Sequence, residues 1–273
     1  MKCAIIYDFD GTLAKGNCME HGLLKELGIL NNEDFWKETK EIAKTHDGDE
    51  ILAYLGVLVK YASKNNSNIL EENILKNHGK NIPLFPGVES WFERINVFAS
   101  EIALELNHYI VSSGLDALIQ GTPIAVYFKK IYACKYQYNE SKSNVLWPAL
   151  AINYTTKTQY LFRINKGIDN SWDNEAINRF IEPRERDISF ENMVYIGDGD
   201  TDIPAMKMTR IQGGHSLAVF DKDKWNDSVT QDKIAKLIAE ERANYVVPAD
   251  YNNGSQLDIT VKGILQLIKR KNK

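Results

Sequence analysis

Short apolar runs that stop at a small or acidic residue occur at three positions along the chain. They cover residues 4–7 before Asp8, 109–111 before Ser112, and 193–196 before Gly197. Runs that are apolar at every position are typical of parallel strands buried on both faces of a sheet. The pattern therefore predicts three buried parallel strands, each followed directly by a polar loop.

Apolar residues at helical spacing lie between and after these runs. One stripe begins with Val88, Trp91 and Phe92, and another, near the end of the chain, begins with Leu257 and Val261. Strands that alternate with such helices indicate an α/β fold with a Rossmann-like, doubly wound and mainly parallel sheet. Because such sheets bind ligands beyond the carboxyl ends of their strands, the three polar loops are expected to meet in one crevice.

Residues 14–84 follow a different pattern, since they contain several helical stripes and no convincing strand. The segment ends in the turn Leu84-Phe85-Pro86-Gly87, which is typical of a chain about to enter a helix. We predict an all-helical inserted domain at residues 14–84 and an α/β core domain formed by residues 1–13 and 85–273.

Residues 131–138 and 145–154 surround a polar turn and are rich in strand-forming side chains, which predicts a hairpin.

The charge balance narrows the range of partners. Lys and Arg together number 33 and Asp and Glu 37, so the formal net charge is −4. This argues against binding of nucleic acid or of a membrane surface through basic residues.

The longest apolar stretches, residues 51–59 and 145–152, fall short of the roughly 18–20 residues of a membrane helix. The amino-terminal apolar run is too short for a secretory signal, so we expect a cytoplasmic protein with a small-molecule partner; its oligomeric state is left open.

The three cysteines, Cys3, Cys18 and Cys134, lie far apart in the chain. Their number is odd, and none has the CxxC spacing of a zinc site or a redox motif. We interpret them as small buried apolar residues rather than as metal ligands or nucleophiles.

The first acidic cluster, Asp8-Phe9-Asp10-Gly11-Thr12, directly follows the first predicted strand. Gly11 allows a tight turn with exposed backbone N–H groups, and two carboxylates beside such a turn suit a metal-bound phosphate. An ordinary polar turn is the alternative, because short motifs of this kind also occur by chance.

The second acidic cluster, residues 197–202, follows another strand and precedes a helix start at Ile203 and Pro204. Its carboxylates are the hard oxygen ligands that Mg²⁺ prefers. A calcium-binding EF-hand loop starting at Asp198 would need Gly and Glu where Ile203 and Thr209 stand. The residues therefore argue against calcium-loop chemistry and favour a magnesium site.

In combination, these motifs resemble those of the haloacid dehalogenase-like (HAD) superfamily of hydrolases, in its phosphoserine-phosphatase-like branch. The first motif matches residues 8–13, the second Ser112, and the fourth residues 197–202. The resemblance implies that Asp8 attacks phosphorus and that Asp10 serves as general acid and base. It further implies a Mg²⁺ ion held by Asp8, the backbone carbonyl of Asp10 and Asp198, with Asp202 in support.

The residue two positions after the nucleophile distinguishes chemistries within the superfamily. Dehalogenase-like members have an aromatic residue there and P-type ATPases have Thr, whereas this chain has Asp10. The resemblance therefore implies a phosphatase that hydrolyses a small phosphorylated metabolite. A phosphotransferase or mutase that uses the same Asp8, and a catalytically idle binding protein of the same fold, are the alternatives.

The first and second motifs supply the predicted phosphate contacts, and the third motif supplies a lysine. The resemblance assigns phosphate binding to the residues that follow the first two strands: Gly11, Thr12, Ser112, Ser113 and Gly114. An ordinary helix N-cap is the alternative for Ser112. The third-motif lysine is expected in the opening turn of a helix, which favours Lys157 over Lys166 at the other end of the same helical stripe.

The insertion at 14–84 stands where this superfamily places a helical cap that closes over the site. Phosphoserine phosphatases carry a substrate-reading Glu nine residues after the nucleophile, where this chain has Asn17. We predict Asn17, Glu20 and His21 as cap contacts to substrate, with ordinary helix surface as the alternative. The sequence does not identify the leaving group.

Overall fold

A computed structural model describes residues 1–65, 67–141, 144–199 and 201–271. In these ranges a seven-stranded sheet has the order β4-β3-β2-β1-β5-β6-β7. The strands are β1 (Lys2–Tyr7), β2 (Glu105–Leu115), β3 (Phe128–Tyr138), β4 (Val145–Leu150), β5 (Met193–Gly197), β6 (His215–Phe220) and β7 (Tyr245–Pro248). Neighbouring strands are parallel except for β3 and β4, which are antiparallel. The prediction of a mainly parallel α/β sheet is confirmed.

Helices connect the strands and cover the sheet. They are α1 (Leu23–Glu26), α2 (Asn32–Thr45), α3 (Glu50–Lys64), α4 (Glu72–Gly79), α5 (Val88–Glu101), α6 (Asp116–Gly121), α7 (Lys157–Lys166), α8 (Asn174–Asn178), α9 (Ile203–Ile211), α10 (Ser228–Ala239) and α11 (Gln256–Lys271). Helices α5 and α11 contact each other and the sheet, as do α7 and α9. None of the described helices is long and apolar enough to cross a membrane.

The three strands predicted from apolar runs correspond to β1, β2 and β5, and the predicted hairpin is the β3–β4 pair. One boundary differs, because β2 continues past Ser112 to Leu115. Val111 pairs with Tyr132 and Leu115 with Cys134, so residues 112–114 bulge out of the regular ladder. Helix α6 begins only at Asp116 and its N-cap is Leu115, so Ser112 is not a helix N-cap.

Helices α1 to α4 occupy the segment that the sequence assigned to the insertion. Between residues 14 and 84, leaving out residue 66, the structure shows no strand, only two isolated bridges, from Ala14 to Asp10 and from Ala14 to Leu84. The segment is attached to the core by hydrogen bonds from the Tyr54 hydroxyl to the Ser113 carbonyl, 2.5 Å, and from the Tyr136 hydroxyl to the Leu55 carbonyl, 2.7 Å. The division into two domains stays a prediction.

A chain of hydrogen-bonded polar side chains runs from the apolar core to the half-buried Asn96. The Trp91 indole N–H donates to the Tyr7 hydroxyl at 2.8 Å, and that hydroxyl lies 3.1 Å from His108 Nδ1. His108 Nε2 lies 3.0 Å from Asn96 Oδ1. Because the amide oxygen of Asn96 can only accept, Nε2 carries the proton and Nδ1 accepts from Tyr7. The chain is thus fully satisfied with a neutral imidazole.

Candidate active site

The loop after β1 places Asp8 at the carboxyl end of the sheet. The Asp8 N–H donates to the Ile196 carbonyl of β5 at 2.9 Å, which continues the strand pairing by one residue. Gly11 then turns with φ +70°, and a Cβ at this position would lie 2.8 Å from Asp198 Oδ2. Glycine is required here both for the backbone conformation and for the close approach of the second acidic loop.

The loop after β5 brings the second acidic cluster to the same place. Asp198 and Asp202 lie on either side of Asp200, which falls outside the described residues. The buried Tyr195 hydroxyl donates to Asp202 Oδ1 at 2.7 Å. Asp8, Asp198 and Asp202 each offer one carboxylate oxygen, and these oxygens lie within 4.8 Å of one another. Two loops far apart in sequence therefore form one acidic cluster.

Lys157, at the start of α7, bridges this cluster. Its side chain is fully buried, with Nζ 3.0 Å from Asp8 Oδ1 and 2.7 Å from Asp202 Oδ1. Nζ also donates to Thr201 Oγ1 at 2.9 Å. Lys166 instead donates to the backbone carbonyls of Ile177 and Arg179, each at 2.6 Å. Of the two lysines considered from the sequence, the structure brings Lys157 to the carboxylates.

Burial and mutual repulsion dominate the electrostatics of the cluster. Burial raises the pKa of Asp8 well above its usual range, the nearby Asp202 charge raises it further, and Lys157 opposes the shift. Although burial lowers the pKa of Lys157, the Asp202 and Asp8 carboxylates raise it above its ordinary value, so this lysine stays charged. A second lysine, Lys233 of α10, lies 3.2 Å from Asp198 Oδ2. Three carboxylates thus share two nearby ammonium groups among the described residues, which favours a further cation.

The cluster offers suitable ligand atoms for that cation. Asp202 Oδ1 is bound by Lys157 and Tyr195, but its Oδ2 is buried and has no hydrogen-bond partner among the described atoms. A buried acceptor without a donor is costly unless a metal or a water satisfies it. Carboxylate oxygens at this spacing match the hard-ligand preference of Mg²⁺.

Asp10 faces the cluster from the other side of the loop. Its Oδ1 accepts the Cys18 N–H at 2.8 Å, and Cys18 Sγ lies 3.6 Å from its Oδ2. Burial raises the pKa of Asp10 to about 6. A carboxyl group with such a pKa exchanges its proton near neutral pH, as a general acid and base must.

The bulge in β2 supplies the third side of the site. The Ser112 hydroxyl accepts the Gly114 N–H at 3.0 Å, and the buried Ser113 hydroxyl has no partner among the described atoms. A Cβ on Gly114 would lie 3.2 Å from Cys18 Sγ and 3.3 Å from Asp10 Oδ2 and Ser112 Oγ. Glycine at this position therefore lets three polar side chains pack together.

These elements enclose a cavity of about 620 Å³. Asp8, Asp10 and Asp198 line it from the core, and Trp36 and Tyr54 line it from the helical segment. The cavity thus combines a few carboxylates with aromatic and apolar side chains, a lining typical of small-molecule sites.

No protein-family model matches the chain. In sequence it is 29% identical over 279 residues to an uncharacterized protein of Borreliella burgdorferi, with 93% of each chain covered. In structure it resembles a HAD family hydrolase from Salmonella enterica serovar Typhi, with a TM-score of 0.58 and 18% identity over 96% of this chain and 70% of the other. It also resembles a substrate-bound phosphoserine phosphatase, with a TM-score of 0.56 and 18% identity over 96% and 98% of the two chains. The chain has the haloacid dehalogenase-like fold.

The predicted phosphate-binding residues are only partly exposed to the cavity of this HAD fold. Gly11, Ser112, Ser113 and Gly114 line it. Thr12 does not, because its side chain is fully buried and its carbonyl accepts from the Tyr251 hydroxyl at 2.9 Å.

Of the three predicted cap contacts, one lines the cavity and two do not. Asn17 lines the cavity, although its Oδ1 also accepts the Met19 N–H at 3.0 Å. Glu20 and His21 are outside the described lining: Glu20 Oε1 accepts the Trp36 indole N–H at 2.8 Å, and His21 Nε2 donates to the Lys15 carbonyl at 2.6 Å.

Several residues of the site were not found from the sequence. Thr201 and Tyr195 lie within and beside the fourth motif, but neither carries a charge, and their residue types alone do not indicate a role in the site. Trp36 and Tyr54 belong to helical stripes that are equally typical of a buried core. Lys233 sits on α10 with no local signal at all, and only the packing of that helix brings it to Asp198.

Proposed function

We propose that the chain is a Mg²⁺-dependent phosphatase that hydrolyses a small phosphomonoester through an aspartyl-phosphate on Asp8. The observation that carries the proposal is the fully buried Lys157, whose Nζ lies between Asp8 and Asp202 beside the cavity. A buried ammonium group is costly unless it is paired, and this one is paired with the carboxylate that would attack phosphorus. The similarity to HAD hydrolases and phosphoserine phosphatases of known structure supports the proposal.

The side chains of the chain supply the nucleophile and the proton transfers of both chemical steps. Lys157 contacts Oδ1 of Asp8, so we assign Oδ2 as the atom that attacks phosphorus. As the bond from phosphorus to the leaving oxygen breaks, protonated Asp10 gives its proton to that oxygen. Asp10 then takes a proton from water, whose oxygen attacks phosphorus and releases phosphate from Asp8. Asp10 thus ends protonated, as it began.

The remaining polar groups bind the phosphoryl group and the metal. We propose that the Ser112 hydroxyl, whose oxygen accepts the Gly114 N–H, donates to a phosphoryl oxygen, together with backbone N–H groups of the adjoining loops. Asp8, Asp198 and the Asp10 carbonyl would hold Mg²⁺, with Asp202 in support. When bound, the ion neutralises negative charge on the phosphoryl group.

The helical segment 14–84 is proposed to act as the cap. It contributes Trp36 and Tyr54 to the cavity, and the Tyr54 hydroxyl bonds to the carbonyl of Ser113 in the β2 bulge. A cap in this position excludes water and selects the leaving group. Asn17 stands where phosphoserine phosphatases have a Glu, so we expect phosphoserine to be a poor substrate.

Phosphate release from 4-nitrophenyl phosphate and from a panel of small metabolite phosphates, phosphoserine included, tests the proposal. We expect turnover with Mg²⁺, none with EDTA, and none in Asp8→Asn. The matched control is Asp250→Asn, which removes a carboxylate paired with Lys222 outside the cavity lining and should leave turnover unchanged. Turnover that survives Asp8→Asn or EDTA contradicts the mechanism. Product on an acceptor instead of free phosphate would indicate a phosphotransferase, and no turnover at all would indicate a binding protein.

A further inference from the structure

Both carboxylate oxygens of Asp10 are bound by one residue, Cys18. The Cys18 N–H donates to Oδ1 at 2.8 Å, and the thiol donates to Oδ2 with Sγ at 3.6 Å. The sequence offered no reason to connect these two residues beyond the short loop between them. A carboxyl group that is bound at both oxygens can rotate only by breaking one of the two contacts.

The surroundings of Cys18 keep its thiol in this place. The side chain is 1% exposed and begins a short 3-10 turn, Cys18–Glu20, that Asn17 caps by accepting the Met19 N–H at 3.0 Å. A Cβ at Gly114 would lie 3.2 Å from Sγ, so the glycine leaves the thiol the space that it occupies. An ionised carboxylate can only accept, so in the 3.6 Å contact with Asp10 the Cys18 thiol is the donor.

We infer that Cys18 is a positioning residue for Asp10, whose thiol and backbone N–H fix the carboxyl group for proton transfer to the leaving oxygen. The inference rests on the proposed phosphatase function. A group that transfers a proton must be held within hydrogen-bond reach of its target, and small displacements cost large factors in rate. Loss of the thiol contact should therefore slow formation of the aspartyl-phosphate most for substrates whose leaving oxygen needs a proton.

This dependence gives a test that a merely structural role would not pass. Phenoxide is a much stronger base than 4-nitrophenoxide, so phenyl phosphate needs a proton from Asp10 and 4-nitrophenyl phosphate needs little help. The two substrates are close in size, so effects on cavity fit largely cancel. The quantity compared is kcat/KM, which reports the step that forms the aspartyl-phosphate.

We expect Cys18→Ala to lower kcat/KM about 10-fold or more on phenyl phosphate and less than about 3-fold on 4-nitrophenyl phosphate. Cys18→Ser keeps a donor and should restore most of the loss. Cys18→Val fills the space without a donor and should behave like Cys18→Ala, so it replaces that variant if the smaller side chain prevents folding. Cys3→Ala, a buried cysteine of β1, is the matched control and should leave both values unchanged.

Equal losses on the two substrates, or no loss on either, would overturn the role of Cys18. The phosphatase proposal would stand in that case, provided that the wild-type protein is active and Asp8→Asn is not. Failure of Cys18→Ser to exceed Cys18→Val on phenyl phosphate would also overturn it, because the thiol would then matter only for its volume. A wild-type protein without activity on any phosphomonoester would reject the proposed function itself.

Discussion

Acid should destabilise this protein through one buried histidine. His108 is 2% exposed, and both ring nitrogens are engaged when the imidazole is neutral: Nε2–H donates to Asn96 and Nδ1 accepts from Tyr7. The Tyr7 hydroxyl cannot simply turn away, because the Trp91 indole N–H donates to it at 2.8 Å. A proton added at Nδ1 would therefore face the Tyr7 hydroxyl proton inside the core.

The size of the effect follows from the pKa. Burial lowers the pKa of His108 from the ordinary 6.5 to about 3. Between these values the unfolded chain binds a proton that the folded protein does not, so the free energy of unfolding falls as the pH falls. The slope approaches about 1.4 kcal/mol per pH unit, and integration from pH 7 to pH 5 gives a loss of about 2 kcal/mol. The stabilisation is fully present above pH 6.5.

Urea unfolding of the wild-type protein and His108→Gln at pH 7 and pH 5 measures this loss. The variant should be less stable at pH 7 because it disturbs the polar chain. From pH 7 to pH 5, however, the free energy of unfolding should fall less in the variant than in the wild type. The difference between the two decreases should be about 2 kcal/mol. The carboxylates of the active site titrate in both proteins, so their contribution cancels in this difference. His46→Gln, at an exposed position, is the control and should follow the wild type.

The same pH-dependent loss in His108→Gln as in the wild type would refute the reasoning, because His108 would then not be the group that takes up the proton. Equal destabilisation of the variant at pH 7 and pH 5 is this same result. It would mean that the substitution removes hydrogen bonds and packing but no proton-binding group.

Three further outcomes are expected. Lys157→Met should abolish phosphate release and lower the free energy of unfolding by about 3–5 kcal/mol, because it leaves buried carboxylates unpaired, whereas Lys166→Met should retain activity. Mg²⁺ should raise the thermal unfolding temperature of the wild type, and Asp198→Asn should reduce that rise, as followed by circular dichroism. Gly114→Ala should lower kcat about 10-fold or more in the phosphate-release assay while the protein stays folded, since its Cβ would press on Asp10 and Cys18 at 3.2–3.3 Å.

Much of the fold could be predicted because it is recorded in local patterns. Residues 4–7, 109–111 and 193–196 are apolar at every position, and such runs have few stable alternatives to a strand buried between two layers of helices. Since parallel strands end at one edge of the sheet, placing Asp8 and Asp198 after two of them predicted that they would meet. The structure brings their carboxylate oxygens within 4.8 Å together with Asp202.

The local sequence predicted which lysine lies in the site, Lys157 or Lys166, but not which side chains it contacts. The start of a helix favoured Lys157, but nothing near it in sequence identifies Asp8 or Asp202 as its partners. Its contacts at 3.0 and 2.7 Å arise because α7 packs so that its first residue reaches the ends of β1 and β5. Lys166, nine positions along the same helix, points to backbone carbonyls of residues 177 and 179 instead.

By itself, the sequence determined the α/β fold class, the buried strands β1, β2 and β5, and the acidic loops that follow β1 and β5. The tertiary structure decided which side chains those elements present to one another. Glu20 is bound to Trp36, Trp36 and Tyr54 face the cavity, and the thiol of Cys18 binds Asp10. These pairings depend on how helices cross and loops close in space. Residue type and spacing therefore leave them open, whereas burial of an apolar strand follows directly from its pattern.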